Sequence, residues 1–181
     1  MKTPWVAFFS QTGAEICDIA ESIGRWPDRI ITNNRPAHLR TIDSRIPPEL
    51  IMYTKNNPEL FEYIWLLKEY KDPIVTLHGW LRIMPPDICR MYNVFNGHPG
   101  LITWYPELKG KDPQIRAYEG IKEGRYEVAG AVLHKVIPEV DEGKIISEEY
   151  FNVANLDLDG LFRTLRDRSL SMWIKFLKKV L

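Results

Sequence analysis

Trp5-Val6-Ala7-Phe8-Phe9 is apolar at every position and is followed at once by Ser10-Gln11-Thr12-Gly13. An unbroken run of that length fits a strand covered on both faces, and the turn residues end it. Ile16, Ile19, Ala20 and Ile23 then recur at helical spacing, with Gly24 as a stop. Strand, tight turn and helix in that order open a sheet whose strands run parallel, with right-handed helical crossovers on its faces. The expected fold class is α/β, a mostly parallel central sheet flanked by helices.

The rest of the chain continues the pattern. Arg29-Ile30-Ile31-Thr32, Ile51-Met52-Tyr53, Ile74 to Gly79 and Val94-Phe95-Asn96 read as strands. Two more, Val128 to Val136 and Lys144 to Val153, flank a Pro-started, Gly-ended loop at 138–143. Asn57 with Pro58 is the expected start of a helix to Tyr70, and Pro85-Pro86 of one to Met91. Residues 113–120 are expected to be helical. A last helix begins near Asp157 or Asp159, with Leu158, Leu161, Phe162, Leu165, Met172, Trp173 and Phe176 on one apolar face. No repeat or linker divides residues 1–181, so one domain is expected.

Composition narrows the function. With 45% hydrophobic residues the chain can bury a core, and its formal net charge of zero gives no basic excess to hold long nucleic acid. Cys17 and Cys89 are too far apart to form a zinc or redox motif and read as buried thiols in a reducing compartment. No signal-peptide pattern or membrane-length apolar segment is visible, so a soluble, cytoplasmic protein is expected.

Ligands in open sheets of this kind sit at the carboxyl ends of the strands. Four segments with chemistry fall there: Ser10 to Glu15, Gly79 to Met84, Asn96 to Gly100 and His134 to Gly143. An imidazole titrates near neutrality, so His98 can relay a proton or donate one to a developing oxyanion. Asn96, two residues earlier, points the same way if the strand persists, and its amide completes an oxyanion-stabilising pair. Asp141, placed opposite His98, would fix its tautomer. His134 is expected to support these groups rather than react. His38 and His78 read as structural, and Glu139 and Glu142 as solvent-facing. Thr12, Gly13 and Ala14 can offer backbone N–H groups to an anion, although Glu15 opposes one.

These segments resemble the folate-dependent formyltransferases. Asn96-Gly97-His98-Pro99 is similar to that family's Asn-x-His-Pro segment. Leu133-His134 through Val140-Asp141-Glu142-Gly143 is similar to its His-to-Asp-x-Gly segment. Gly79-Trp80-Leu81-Arg82-Ile83-Met84 resembles its pterin-site strand end. The resemblance is specific from about residue 72 to 153.

It implies a Rossmann-like formyltransferase fold and 10-formyltetrahydrofolate as donor to the amine of a small acceptor. Asn96, His98 and Asp141 become the catalytic trio. Leu81, Arg82, Ile83 and Met84, with Ile137, Pro138, Glu139, Val140 and Asp141, become the pterin-binding edges, largely through the main chain. Thr12, Gly13, Ala14, Glu15 and Arg166 become acceptor-binding, and no metal is required. Glycinamide ribonucleotide is the first candidate acceptor, because the resemblance is closest there, although the family's Gly-Ser-Asn phosphate turn stands here as Gly13-Ala14-Glu15, which argues against it; another amino-nucleotide or an amino-sugar nucleotide is the next choice. The loop between His98 and Gly110 reads as longer and holds Trp104 and Tyr105. The second domain that relatives use on initiator tRNA is not seen. The rival readings are a 10-formyltetrahydrofolate hydrolase and a non-catalytic folate-binding protein.

Overall fold

The structure is a computed structural model that describes residues 2–34, 41–154 and 156–181. His38 lies outside them. In chain order the elements are β1 (Trp5–Phe9), α1 (Ala14–Ile23), β2 (Arg29–Thr32), β3 (Ile51–Tyr53), α2 (Leu60–Leu67), β4 (Ile74–His78), α3 (Pro86–Met91), β5 (Asn93–His98), α4 (Pro113–Lys122), β6 (Val128–Lys135), β7 (Ile145–Asn152) and α5 (Leu158–Val180).

One seven-stranded sheet runs β3-β2-β1-β4-β5-β6-β7. The strands from β3 to β5 pair in parallel, and β6 and β7 are antiparallel to their neighbours. β1 shows why a continuous apolar run was needed. Trp5, Ala7 and Phe9 pack with Ile16 and Ile19 of α1 and with Met172, Trp173 and Leu177 of α5. Val6 and Phe8 face the other way, onto Tyr63 and Leu67 of α2 and Ile88 of α3. Strand alternation therefore feeds two cores at once.

Two expectations change. α2 starts after Glu59 and ends at Leu67, rather than running from Asn57 to Tyr70. Its entry is fixed by Glu62, whose carboxylate reaches back to accept from the Lys55 N–H at 2.9 Å and from the Thr54 hydroxyl. The preceding residues are pinned elsewhere, since the Asn56 carbonyl accepts from Asn33 Nδ2 at 2.9 Å and Arg82 Nε at 2.6 Å. β5 also continues past Asn96, because Gly97 and His98 pair with Leu133 and Val132 of β6. Among the described residues no helix is long and apolar enough to cross a membrane.

Candidate active site

The continuation of β5 sets the site. With strand geometry held to His98, Asn96 and His98 project from the same face. Antiparallel pairing places His134 directly across from Asn96, and the Asn96 amide nitrogen is 3.3 Å from His134 Nε2. The chain then turns back after β6. The Lys135 N–H donates to the Lys144 carbonyl at 2.9 Å, and a Cβ on Gly143 would sit 1.6 Å from the Lys135 carbonyl oxygen. Only glycine fits that close approach. Asp141, two residues earlier, adopts a left-handed φ of 55°.

That fold-back drops the Asp141 carboxylate between two imidazoles. Oδ2 is 3.3 Å from His98 Nδ1, and Oδ1 is 3.4 Å from His134 Nε2. The Gly110 N–H donates to Oδ2 at 2.8 Å. Burial alone would raise the Asp141 carboxyl, but contacts with His134 and His98 and the Gly110 N–H outweigh it, so its pKa lies below the ordinary value. His98 is buried, and its Nε2 stands 2.9 Å from the Leu108 carbonyl. Burial pulls its pKa below the ordinary value despite the opposing pull of Asp141 and of that carbonyl.

The Leu108 carbonyl decides the tautomer, and not Asp141 as expected. A carbonyl only accepts, so Nε2 carries the proton, and a neutral His98 then presents its Nδ1 lone pair beside Asp141. A second proton taken up on Nδ1 would turn a lone pair facing a carboxylate into a charge-assisted hydrogen bond.

Leu81, Ile83 and Val140 are among the exposed large apolar side chains, whereas Met84 is buried in the core beside Trp80. Val136, just before the 137–141 segment, packs into the same cluster as Met84, which links the two segments. The Leu81 N–H donates to Ser10 Oγ at 3.0 Å, and Arg82 is tied to Asn56 and the Leu81 carbonyl.

A cleft of about 350 Å³ opens beside Gly97 and Pro99, and Thr12, Gly13, Ala14, Glu15 and Arg166 all line it. His78 and Ser169 line it too; neither was a site expectation. Glu15 binds both, with Oε2 2.8 Å from His78 Nδ1 and Oε1 accepting from Ser169 Oγ at 2.7 Å. Ser169 carries one usable sequence signal, since Phe162, Leu165, Arg166 and Ser169 are spaced to share one face of α5. Trp104 and Tyr105 belong elsewhere: Trp104 is half-exposed against Tyr150, and Tyr105 stacks on Tyr126. Glu139 and Glu142 are exposed, as expected, Glu142 2.8 Å from Lys109.

Known proteins share this architecture. A phosphoribosylglycinamide formyltransferase from Anaplasma phagocytophilum superposes with a TM-score of 0.78 at 24% identity, over 98% of this chain and 86% of that one. The Campylobacter jejuni enzyme of the same name gives 0.78 at 22%, over 99% and 98%. At such identities the likeness establishes the fold. In sequence, the chain is 29% identical over 124 residues to phosphoribosylglycinamide formyltransferase of Dictyostelium discoideum, covering 62% of this chain and 59% of that protein. It is 33% identical over 105 residues to formyltetrahydrofolate deformylase of Synechocystis, covering 56% and 34%. These matches span less than two thirds of either relative. The formyl transferase family model matches residues 28–174, most of the chain, and this protein belongs to that family.

Proposed function

We propose that this chain, as one catalytic domain over residues 1–181, moves a formyl group from 10-formyltetrahydrofolate to the amine of a small acceptor. The observation that carries the reading is the convergence of Asn96, His98 and Asp141 around His134 at the end of β5, where the intervening Gly97 and the following Pro99 line a cleft of substrate size.

The donor supplies an activated formyl carbon, and the residues supply the rest. The acceptor nitrogen bonds to that carbon, and the carbonyl electron pair moves onto oxygen. Asn96 turns one amide hydrogen toward His134 and keeps the other for the oxyanion. His98 takes the proton lost by the attacking nitrogen on Nδ1, where Asp141 stabilises the imidazolium. The oxyanion pair then re-forms the carbonyl as the carbon–nitrogen bond to the folate breaks, and His98 returns its proton to the departing folate nitrogen. Products are a formamide and tetrahydrofolate, with His98 neutral again. The exposed Leu81, Ile83 and Val140 offer apolar walls for a flat ring, and the main chain around them its edges. Buried free thiols at Cys17 and Cys89 fit a cytoplasmic setting.

The test is to supply 10-formyltetrahydrofolate with a panel of amines, glycinamide ribonucleotide included, and to follow tetrahydrofolate and formamide together. Equal production of both, lost in His98→Ala, supports the proposal; production of neither with any amine refutes it. The deformylase relative favours a second reading in which water replaces the amine. Formate release that is indifferent to added amine would establish that reading instead.

A further inference from the structure

The start of α1 carries a carboxylate where a helix would ordinarily welcome a ligand's negative charge. Helix N-termini attract anions through free N–H groups and the macrodipole. Here Gly13 is the N-cap, with φ 77°, and it makes no side-chain cap. Glu15 lies in the first turn, about a quarter exposed, on the wall of the cleft.

Glu15 is held as an anion by a network of its own. Ser169 donates to one oxygen and His78 meets the other. Behind it, His78 Nε2 is 2.9 Å from Thr76 Oγ1, which accepts the Trp5 indole N–H at 2.8 Å. Every donor and acceptor in that chain is matched when Trp5 donates to Thr76, Thr76 to His78, and His78 to Glu15. Burial would raise the Glu15 carboxyl, but hydrogen bonding and attraction from His78, then Ser169 and Arg166, hold its pKa below the ordinary value. Arg166 is the guanidinium on the cleft wall, and Asp18 already binds it at 2.5 Å. A carboxylate offers about four lone-pair positions, of which two are used.

We propose that Glu15 is a specificity-determining residue that reserves the α1 end of the cleft for a hydroxyl- or ammonium-bearing part of the acceptor and excludes a phosphate from it. This rests on the formyl-transfer reading for the word acceptor only. The spare carboxylate positions accept O–H or N–H donors, while a phosphate there would meet a fixed like charge.

The probe is inorganic phosphate, titrated into the wild-type chain and Glu15→Gln while the backbone amide signals of residues 13–15 are followed. The amide keeps the size and can still accept from Ser169. Expected are unmoved signals in the wild type and a saturable response in Glu15→Gln, about tenfold or more tighter. A wild-type response as strong as the variant's, or none in a folded Glu15→Gln, overturns the proposal. Should Glu15→Gln fail to fold, the wild type decides alone. Its response to phosphate is compared with its formylation of a phosphorylated amine and of the same amine after phosphatase treatment, and preference for the phosphorylated form overturns the proposal. His98→Ala serves as control. It loses formyl transfer but keeps the wild-type indifference to phosphate, so failure of the catalytic reading shows in turnover and failure of this one in the titration.

Discussion

His98 Nδ1 faces Asp141 Oδ2 at 3.3 Å while the opposite ring nitrogen is held by the Leu108 carbonyl at 2.9 Å. The longer contact belongs to the nitrogen that gains a proton during reaction, so it tightens as charge develops. An interaction stronger in the charged state than in the resting one is what accelerates chemistry. Asn96→Ala is expected to lower kcat by about 100- to 1000-fold, the usual cost of losing one oxyanion donor, and His98→Ala by about 100- to 10000-fold, the usual worth of a positioned proton-transfer group. Single-turnover formyl transfer with saturating donor checks this, and unchanged rates in both variants would remove the mechanism.

The pH profile follows from the same pair. Neutral His98 is the active base, and burial holds its pKa below the ordinary 6.5. The acid limb of kcat/KM is therefore expected below pH 6.5, with activity on a plateau at neutrality. Asp141 raises the His98 pKa against that burial, so Asp141→Asn shifts the limb to still lower pH while lowering the plateau. A limb that stays in place in Asp141→Asn counts against the pairing. Stability carries the same sign. The unfolded chain binds this proton more readily, so the contribution of His98 is present above pH 6.5 and is lost as pH falls toward the lowered folded value. Melting temperature against pH is expected to fall less steeply just below 6.5 in His98→Gln.

How much of this was legible in the sequence depended on the range of the interaction. β1, α1 and α3 announced themselves because local periodicity and a turn decide them. Asn96 and His98 were readable as a pair because strand geometry repeats every two residues. The placement of Asp141 was visible through family resemblance; the physical device, Gly143 packed on the Lys135 carbonyl, operates through a fold-back that spacing does not reveal. α2 misled because Asn57-Pro58 is a good local cap, yet Glu62 closes the turn from inside the helix. The Glu15, His78 and Ser169 cluster left only the helical spacing of Ser169 with Arg166 as a trace, since α1, β4 and α5 meet only in the folded chain. His78 was read as a structural residue, and it is one that also holds a side chain on the cleft.

Two buried tryptophans separate hydrogen bonding from packing. The Trp5 indole N–H donates to Thr76 at 2.8 Å, whereas the Trp173 indole nitrogen is buried without a partner among the described residues. Both rings are fully buried, so replacement by Phe opens a similar space in each case. Trp5→Phe also removes a made hydrogen bond, and it is expected to cost about 1–3 kcal/mol more than Trp173→Phe. Urea unfolding of the two variants measures the difference, and equal midpoints would contradict it.

Glycines give the last contrast. Gly124 has a φ of 70° with open space where a Cβ would point, so Gly124→Ala meets backbone strain alone, about 1–2 kcal/mol. At Gly143 an added Cβ would collide with the Lys135 backbone carbonyl, which cannot rotate away as a side chain can. Gly143→Ala must therefore push the 138–143 turn off the end of β6, and Asp141 moves with it. The expected result is a larger fall in melting temperature than in Gly124→Ala, together with loss of formyl transfer, while Gly124→Ala keeps its turnover. Full activity in Gly143→Ala would show that Asp141 need not be held against His98 for the reaction to proceed.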